Sequence, residues 1–167
     1  MIKLKYFLIF MGLLTASASC SDRSAGSVDA LYERMTQEER IAQLQGIYMT
    51  QFFDKDNRLD TALCNKLIPN GVGHISQFEL NTRQSPDRIR NMVAQMQEWL
   101  MANTPSGIPA LLHEEALTGV NGYEATVYPQ QIGLACSFNT ELAEKKTFQT
   151  ATQMRKVVGF LALSPMV

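Results

Sequence analysis

A chain of 167 residues, 46% hydrophobic and 19% charged, is long enough to bury a core of its own, and that composition excludes a disordered polypeptide. Its 15 Lys and Arg against 16 Asp and Glu leave a net charge of −1 and no basic run that could neutralise phosphates. Nucleic-acid binding is set aside on that ground.

Residues 1–19 read as an export signal. "MIKLKYFLIFMGLLTASASC" carries two lysines, an apolar stretch from Tyr6 to Leu14 and small residues leading to Cys20, the layout of a secretory leader. The apolar stretch is shorter than the roughly 20 residues a spanning helix needs. Two cleavage readings stand. In one, "SASC" resembles a bacterial lipobox and Cys20 becomes the lipidated first residue of the mature chain, although Ser17 occupies the place where such motifs prefer Leu. In the other, Ala16 and Ala18 form a small-x-small site and the product is unlipidated. Lipidation is favoured, because a loose linker over residues 20–26 is what a tether requires. The expectation is an exported protein, periplasmic or at the outer membrane or cell surface, held to a membrane by its lipid.

A domain over residues 27–167 follows. Ser27 can cap a first helix holding Leu31 and Met35; Thr36 and Glu39 form a capping box for a second, ahead of Ile41, Ala42 and Leu44, which Gly46 ends. "FFDKDNRLD" reads as a loop. Asp60 opens a short helix through Leu63, Leu67 and Ile68 that Pro69, Asn70 and Gly71 terminate. "GVGHISQF" is a short buried strand with His74 at its end.

The clearest helix begins at Ser85 and Pro86, and Ile89, Met92, Val93, Met96, Trp99 and Leu100 share one face of it. That stripe reads as core. "NTPSG" stops the helix and "IPALLHEEA" is the next strand. Residues 117–139 read as a long loop, in which Pro129 and Gly133 fix turns and Val127, Tyr128 and Ile132 pack a rim. Asn139 or Thr140 then starts a helix through Leu142, Phe148, Ala151 and Met154, and "FLALSPMV" is a third strand.

Strands separated by helices must run parallel, joined by right-handed crossovers, so the fold class is α/β. In such folds the loops after the strands gather at one end and build the site. His74, the group from His113 to Glu115, and Ser164 are placed at those ends. Adjacent carboxylates at Glu114 and Glu115 carry a like-charge penalty that calls for an explanation. Alternation along a strand puts His113 and Glu115 on one face and turns Glu114 to the other, toward a helix layer or a basic partner. Three strands do not close a barrel.

The segments "MTQEERIAQL", "GVGHISQ", "IPALLHEEALTG", "ATVYPQQIGLACSFN" and "LALSPMV", in that order over roughly residues 30–167, resemble the N-terminal domain of glycoside hydrolase family 3, the β-glucosidase and β-xylosidase group. The resemblance implies the first part of a TIM-type (β/α) barrel, and retaining hydrolysis of terminal β-linked sugars without a cofactor. Such chemistry uses two carboxyl groups about 5 to 5.5 Å apart. By the resemblance both lie beyond Val167, so the chain reads as a truncated N-terminal portion with no catalytic residue of its own, inactive alone. One sugar-binding position does map onto it. The acidic residue of the family's E/D-A-L/V-H-G motif, which hydrogen-bonds sugar hydroxyls, matches Glu115, with His113 beside it; Thr118 stands where the family commonly has His.

Two rival readings accompany this one. One is a non-catalytic carbohydrate-binding or scaffold remnant expressed as it stands, and the other is a metal-dependent barrel hydrolase that would ligate an ion with His74, His113 and Glu115. The resemblance accounts for those three side chains without a metal. Cys64 and Cys136 lack the spacing of a metal knuckle and read as buried small residues, with a single bridge between them as the alternative.

Overall fold

The computed structural model describes residues 27–78, 84–122 and 124–165. The export signal over 1–19, Cys20, the linker over 20–26 and the end of the last apolar run, Met166 and Val167, lie outside the described residues. The chain divides into two compact units between Met35 and Thr36. In the first, helix α1 (Val28–Arg34) starts where Ser27 Oγ accepts the Ala30 amide at 3.1 Å, and none of its residues is buried.

The second unit opens with the capping box. Thr36 Oγ1 accepts the Glu39 amide at 3.2 Å and Glu39 Oε2 accepts the Thr36 amide at 2.8 Å, which starts α2 (Gln37–Ala42). Next come β1 (Gly46–Tyr48), a 3-10 turn (Met49–Phe52), α3 (Thr61–Leu67) capped by Asp60, and β2 (His74–Ser76). Then follow α4 (Pro86–Asn103), β3 (Leu111–Glu114), α5 (Gln131–Ala135), α6 (Thr140–Lys156) capped by Asn139, and β4 (Leu161–Ala162). The four strands form one parallel sheet in the order β1-β2-β3-β4. It is the open α/β arrangement of part of a TIM barrel, and it does not close among the described residues.

The sheet has four strands where the sequence reading expected three. β1 is the addition, and it escapes because it is three residues long and begins at Gly46, which the helix-stop reading had already used. Its identity as a strand comes from its ladder to β2, with Gly46, Ile47 and Tyr48 beside His74, Ile75 and Ser76.

Register separates the two faces. Ile75 pairs with Leu112 and Glu114 with Ala162, while Ser76 pairs with His113 and His113 with Leu161. Ile75 and Leu112 join Met92, Met96 and Leu100 of α4 in the core, so their face is the one that the helices cover. The six α4 residues expected on one face are all buried. Full burial of a Leu or Met side chain contributes about 1.5 to 3 kcal/mol, so this stripe is the main attachment of helix to sheet. Gln97 adds a polar bracket: its Nε2 donates to Ala110 O at 2.7 Å and its Oε1 accepts the Ala110 amide at 2.9 Å, which fixes the entry to β3.

Four expectations need correcting. Ser85 occupies the cap position of α4, but its side chain makes no capping hydrogen bond. On α6 the buried row is Lys146, Thr150 and Met154, whereas Leu142 and Phe148 are exposed. The apolar pattern misleads there because hydrogen-bonded polar side chains take the inward positions. Residues 117–139 are not all loop: α5 lies among them, and Val127 and Ile132 are exposed rather than packed on a rim, since no described element covers them. Both described cysteines are free thiols. Cys64 is buried as expected, its thiol pushed up to about 11 by that burial and then by Asp60, whereas Cys136 is exposed just after α5.

Candidate functional site

The face turned away from the helices carries Gly46, Tyr48, His74, Ser76, Leu111 and His113, by the same register. Gly46 is a requirement of this surface. A Cβ there would lie 2.1 Å from the His74 ring, so the absence of a side chain on β1 is what admits the imidazole.

His74 and His113 meet across β2 and β3. Their Nδ1 atoms are 3.2 Å apart and their ring centroids 4.9 Å apart, tilted by 47°. A contact between two such nitrogens needs one proton, donated by one ring and accepted by the other. His113 is 6% exposed, and burial lowers its pKa; the neighbouring His74 lowers it further, while the Glu115 carboxylate opposes both. The position of His74 corrects an expectation: it opens β2 at the amino end, whereas His113 is the third residue of β3. The diagonal between them spans two registers of the pleat. His74 therefore lies deeper, and of the residues expected there the group from His113 to Glu115, and Ser164, are near or past carboxyl ends.

Glu115 follows the last residue of β3 and is half-buried. Glu114 is 1% exposed and lies on the helix-facing side with Leu112. Two adjacent carboxylates are thus divided between the two sides of one strand, which reduces the penalty that their proximity in sequence implies. Immediately after Glu115 the chain turns sharply. Ala116 has φ of 54°, in the left-handed region that costs a residue with a Cβ about 1 kcal/mol or more. Gly119, at φ of 94°, is close to Thr126 O and the Tyr128 ring, and the Tyr128 amide donates to Thr118 O at 2.8 Å. The loop is tied at both ends.

Lys146 is the polar residue that sequence reasoning missed. Its Nζ donates to Gln131 Oε1 at 2.8 Å and to Leu117 O at 3.3 Å, and Gln131 Nε2 donates to Ser164 Oγ at 2.7 Å. The available signal was its spacing, four residues before Thr150 and eight before the buried Met154. A groove of about 530 Å³ on the helix side, lined by Leu134, Phe138, Ala143, Lys146, Met154 and Ala162, adjoins this network, but it includes neither His113 nor Glu115. Sugar hydroxyls need polar partners, so the inner face is the better candidate site. Among the described residues no three His, Cys, Asp or Glu side chains are grouped to hold a metal ion. His74, His113 and Glu115 accordingly form a hydrogen-bonding and electrostatic group.

One expected result concerns pH. Because burial holds the folded-state pKa of His113 below its unfolded value of 6.5, protons bind the unfolded chain more tightly. The stability from neutral His113 is intact above that value and is lost as pH falls from it through the folded-state pKa. Urea midpoints should fall between pH 7.5 and 5, more steeply for the wild type than for His113→Gln; equal slopes would remove His113 from this account.

A parallel α/β sheet with an acidic residue just past a strand end matches a known domain in sequence. The profile of the glycosyl hydrolase family 3 N terminal domain matches residues 36–167. The chain belongs to glycosyl hydrolase family 3. The match begins at Thr36, where the second unit begins. A protein of Formosa agariphila named "Putative beta-xylosidase" is similar at 26% identity over 121 residues. That alignment covers 71% of this chain and 16% of the relative, so the family 3 chain spans a small part of the length of the protein it matches. Family membership places this domain among glycosyl hydrolase family 3 N-terminal domains.

Proposed function

We propose that this family 3 domain supplies a sugar-binding wall, centred on Glu115, to an exported glycosidase that removes terminal β-linked sugars, with xylosides as the leading substrates. The observation that carries the reading is the placement of Glu115: a half-buried carboxylate just past the end of β3, beside His113 and behind a constrained turn. A carboxylate accepts two hydroxyl hydrogen bonds at once, and such charge-assisted bonds are the stronger kind. Family membership supports the reaction class, and the name of the Formosa relative supports the xyloside. Glu114, buried on the opposite side of the strand, is not in place to form a retaining pair with Glu115. The nucleophile and the acid/base are therefore assigned to other parts of the complete enzyme.

Export and a lipid anchor at Cys20 rest on the N-terminal pattern of lysines, apolar residues and small residues. No helix of the described residues is long and apolar enough to cross a membrane. In a bacterium, the wild type should partition with membranes and Cys20→Ser should be soluble or unprocessed; equal partitioning would remove the anchor. For the chemistry, a complete enzyme carrying this domain should hydrolyse aryl β-xylosides, and proton NMR should find the β-anomer first. A first product of the α configuration, or no turnover by a folded enzyme, would overturn the reading.

A further inference from the structure

We infer that Lys146 is a positioning residue for the turn that carries Glu115, its ammonium tying the loop after β3 to α5 and, through Gln131, to the end of β4. The starting point is an anomaly of burial. Lys146 is 7% exposed on a helix face where an apolar side chain would be expected, and among the described residues no carboxylate pairs with it. An ammonium is costly to bury unless hydrogen bonds replace its water. Here the replacements are two neutral oxygens, Leu117 O at 3.3 Å and Gln131 Oε1 at 2.8 Å.

Each acceptor belongs to a different segment at the carboxyl end of the sheet. Leu117 is two residues past Glu115, with only left-handed Ala116 between them, so a displacement of Leu117 has little chain in which to dissipate before it reaches Glu115. Gln131 is the first residue of α5, and its amide continues to Ser164 Oγ at 2.7 Å, two residues past β4. A helix of one turn has few hydrogen bonds of its own to fix its position. One cation thus connects three segments that local structure leaves weakly specified. A methionine would fill the same space and hold neither oxygen.

That this placement matters for sugar binding rests on the proposed role of Glu115; the placement itself does not. The test therefore uses the whole chain without sugar, comparing wild type and Lys146→Met by NMR. The Tyr128 amide, which donates to Thr118 O next to Leu117, should lose protection from hydrogen exchange about tenfold or more, while the Ile75 and Leu112 amides in the sheet should not change. The titration midpoint of the His113 ring should fall, because Glu115 no longer supports its protonation. Unchanged Tyr128 protection with an unchanged His113 midpoint, or an equal loss at every amide, would overturn the inference.

Should Lys146→Met fail to fold, the wild type decides. The Leu117 carbonyl carbon and the Gln131 side-chain amide should titrate together with the Lys146 Cε signal, at one midpoint lowered from that of an ordinary lysine by burial. A Leu117 signal indifferent to that titration would overturn the coupling. Failure of the Glu115 reading would look different: sugars would leave the Glu115 signals unmoved while the coupling to Lys146 persisted.

Discussion

Glu115→Ala, introduced into a complete enzyme, should lower kcat/KM on β-xylosides by about 2 to 4 kcal/mol of transition-state stabilisation, and it should lower binding as well. Hydrogen bonds from sugar hydroxyls to a charged acceptor strengthen as the ring distorts, so part of the loss falls on the chemical step. The turn at Ala116 restricts any substitute for the missing carboxylate, because the neighbouring Glu114 is on the other face and buried. A covalent glycosyl-enzyme should still form on a different residue. Trapping with a fluorinated glycoside and finding the label on Glu115 would make it the nucleophile instead, and full activity of the variant would reduce it to a structural residue.

Gly73→Ala should be among the most damaging changes available to the fold. A Cβ there would stand 1.7 Å from Gln43 O and 2.5 Å from Gln43 C, so the obstacle is backbone and no rotamer change relieves it. The Gly73 amide also donates to Ala42 O at 3.1 Å and to Gln45 O at 3.2 Å, bonds that join the end of α2 to the start of β2. Moving Gln43 aside would disturb β1 along with them. A loss of about 3 to 5 kcal/mol is expected, a large part of the stability of a single domain. Gly46→Ala is the control: its Cβ meets a side chain, the His74 ring, which can rotate away at lower cost but then gives up its contact with His113. Urea denaturation of the two variants should place Gly73→Ala well below Gly46→Ala, and a wild-type midpoint for Gly73→Ala would refute the close approach.

What the sequence disclosed depended on how locally each feature is determined. The capping box at Thr36 and Glu39, the Asp60 and Asn139 caps and the six-residue stripe of α4 are written in spacings of three or four residues, and all are present. β1 was not legible, since three residues without alternation become a strand only when β2 lies beside them. The inward face of α6 was misread for a related reason: hydropathy assigns Lys146 to solvent, and only the oxygens of Leu117 and Gln131, 29 and 15 residues away, make its burial tolerable. At the site, alternation was enough to separate Glu114 from Glu115. It could not anticipate that His74 starts its strand, because that depends on the offset between β2 and β3.

The proton shared between His74 and His113 has a bearing on which ligands the inner face would admit. Burial and the neighbouring His74 both disfavour a positive charge on His113, so that ring does little to offset the Glu115 carboxylate close by. The surroundings of Glu115 are therefore expected to favour cations over anions. They would repel uronic acids, whose carboxylate would meet another carboxylate in a partly desolvated place, and they would attract sugar mimics bearing a protonated ring nitrogen. Such amines should bind more tightly than the neutral sugars of the same shape, and acidification that charges His113 should reduce the difference.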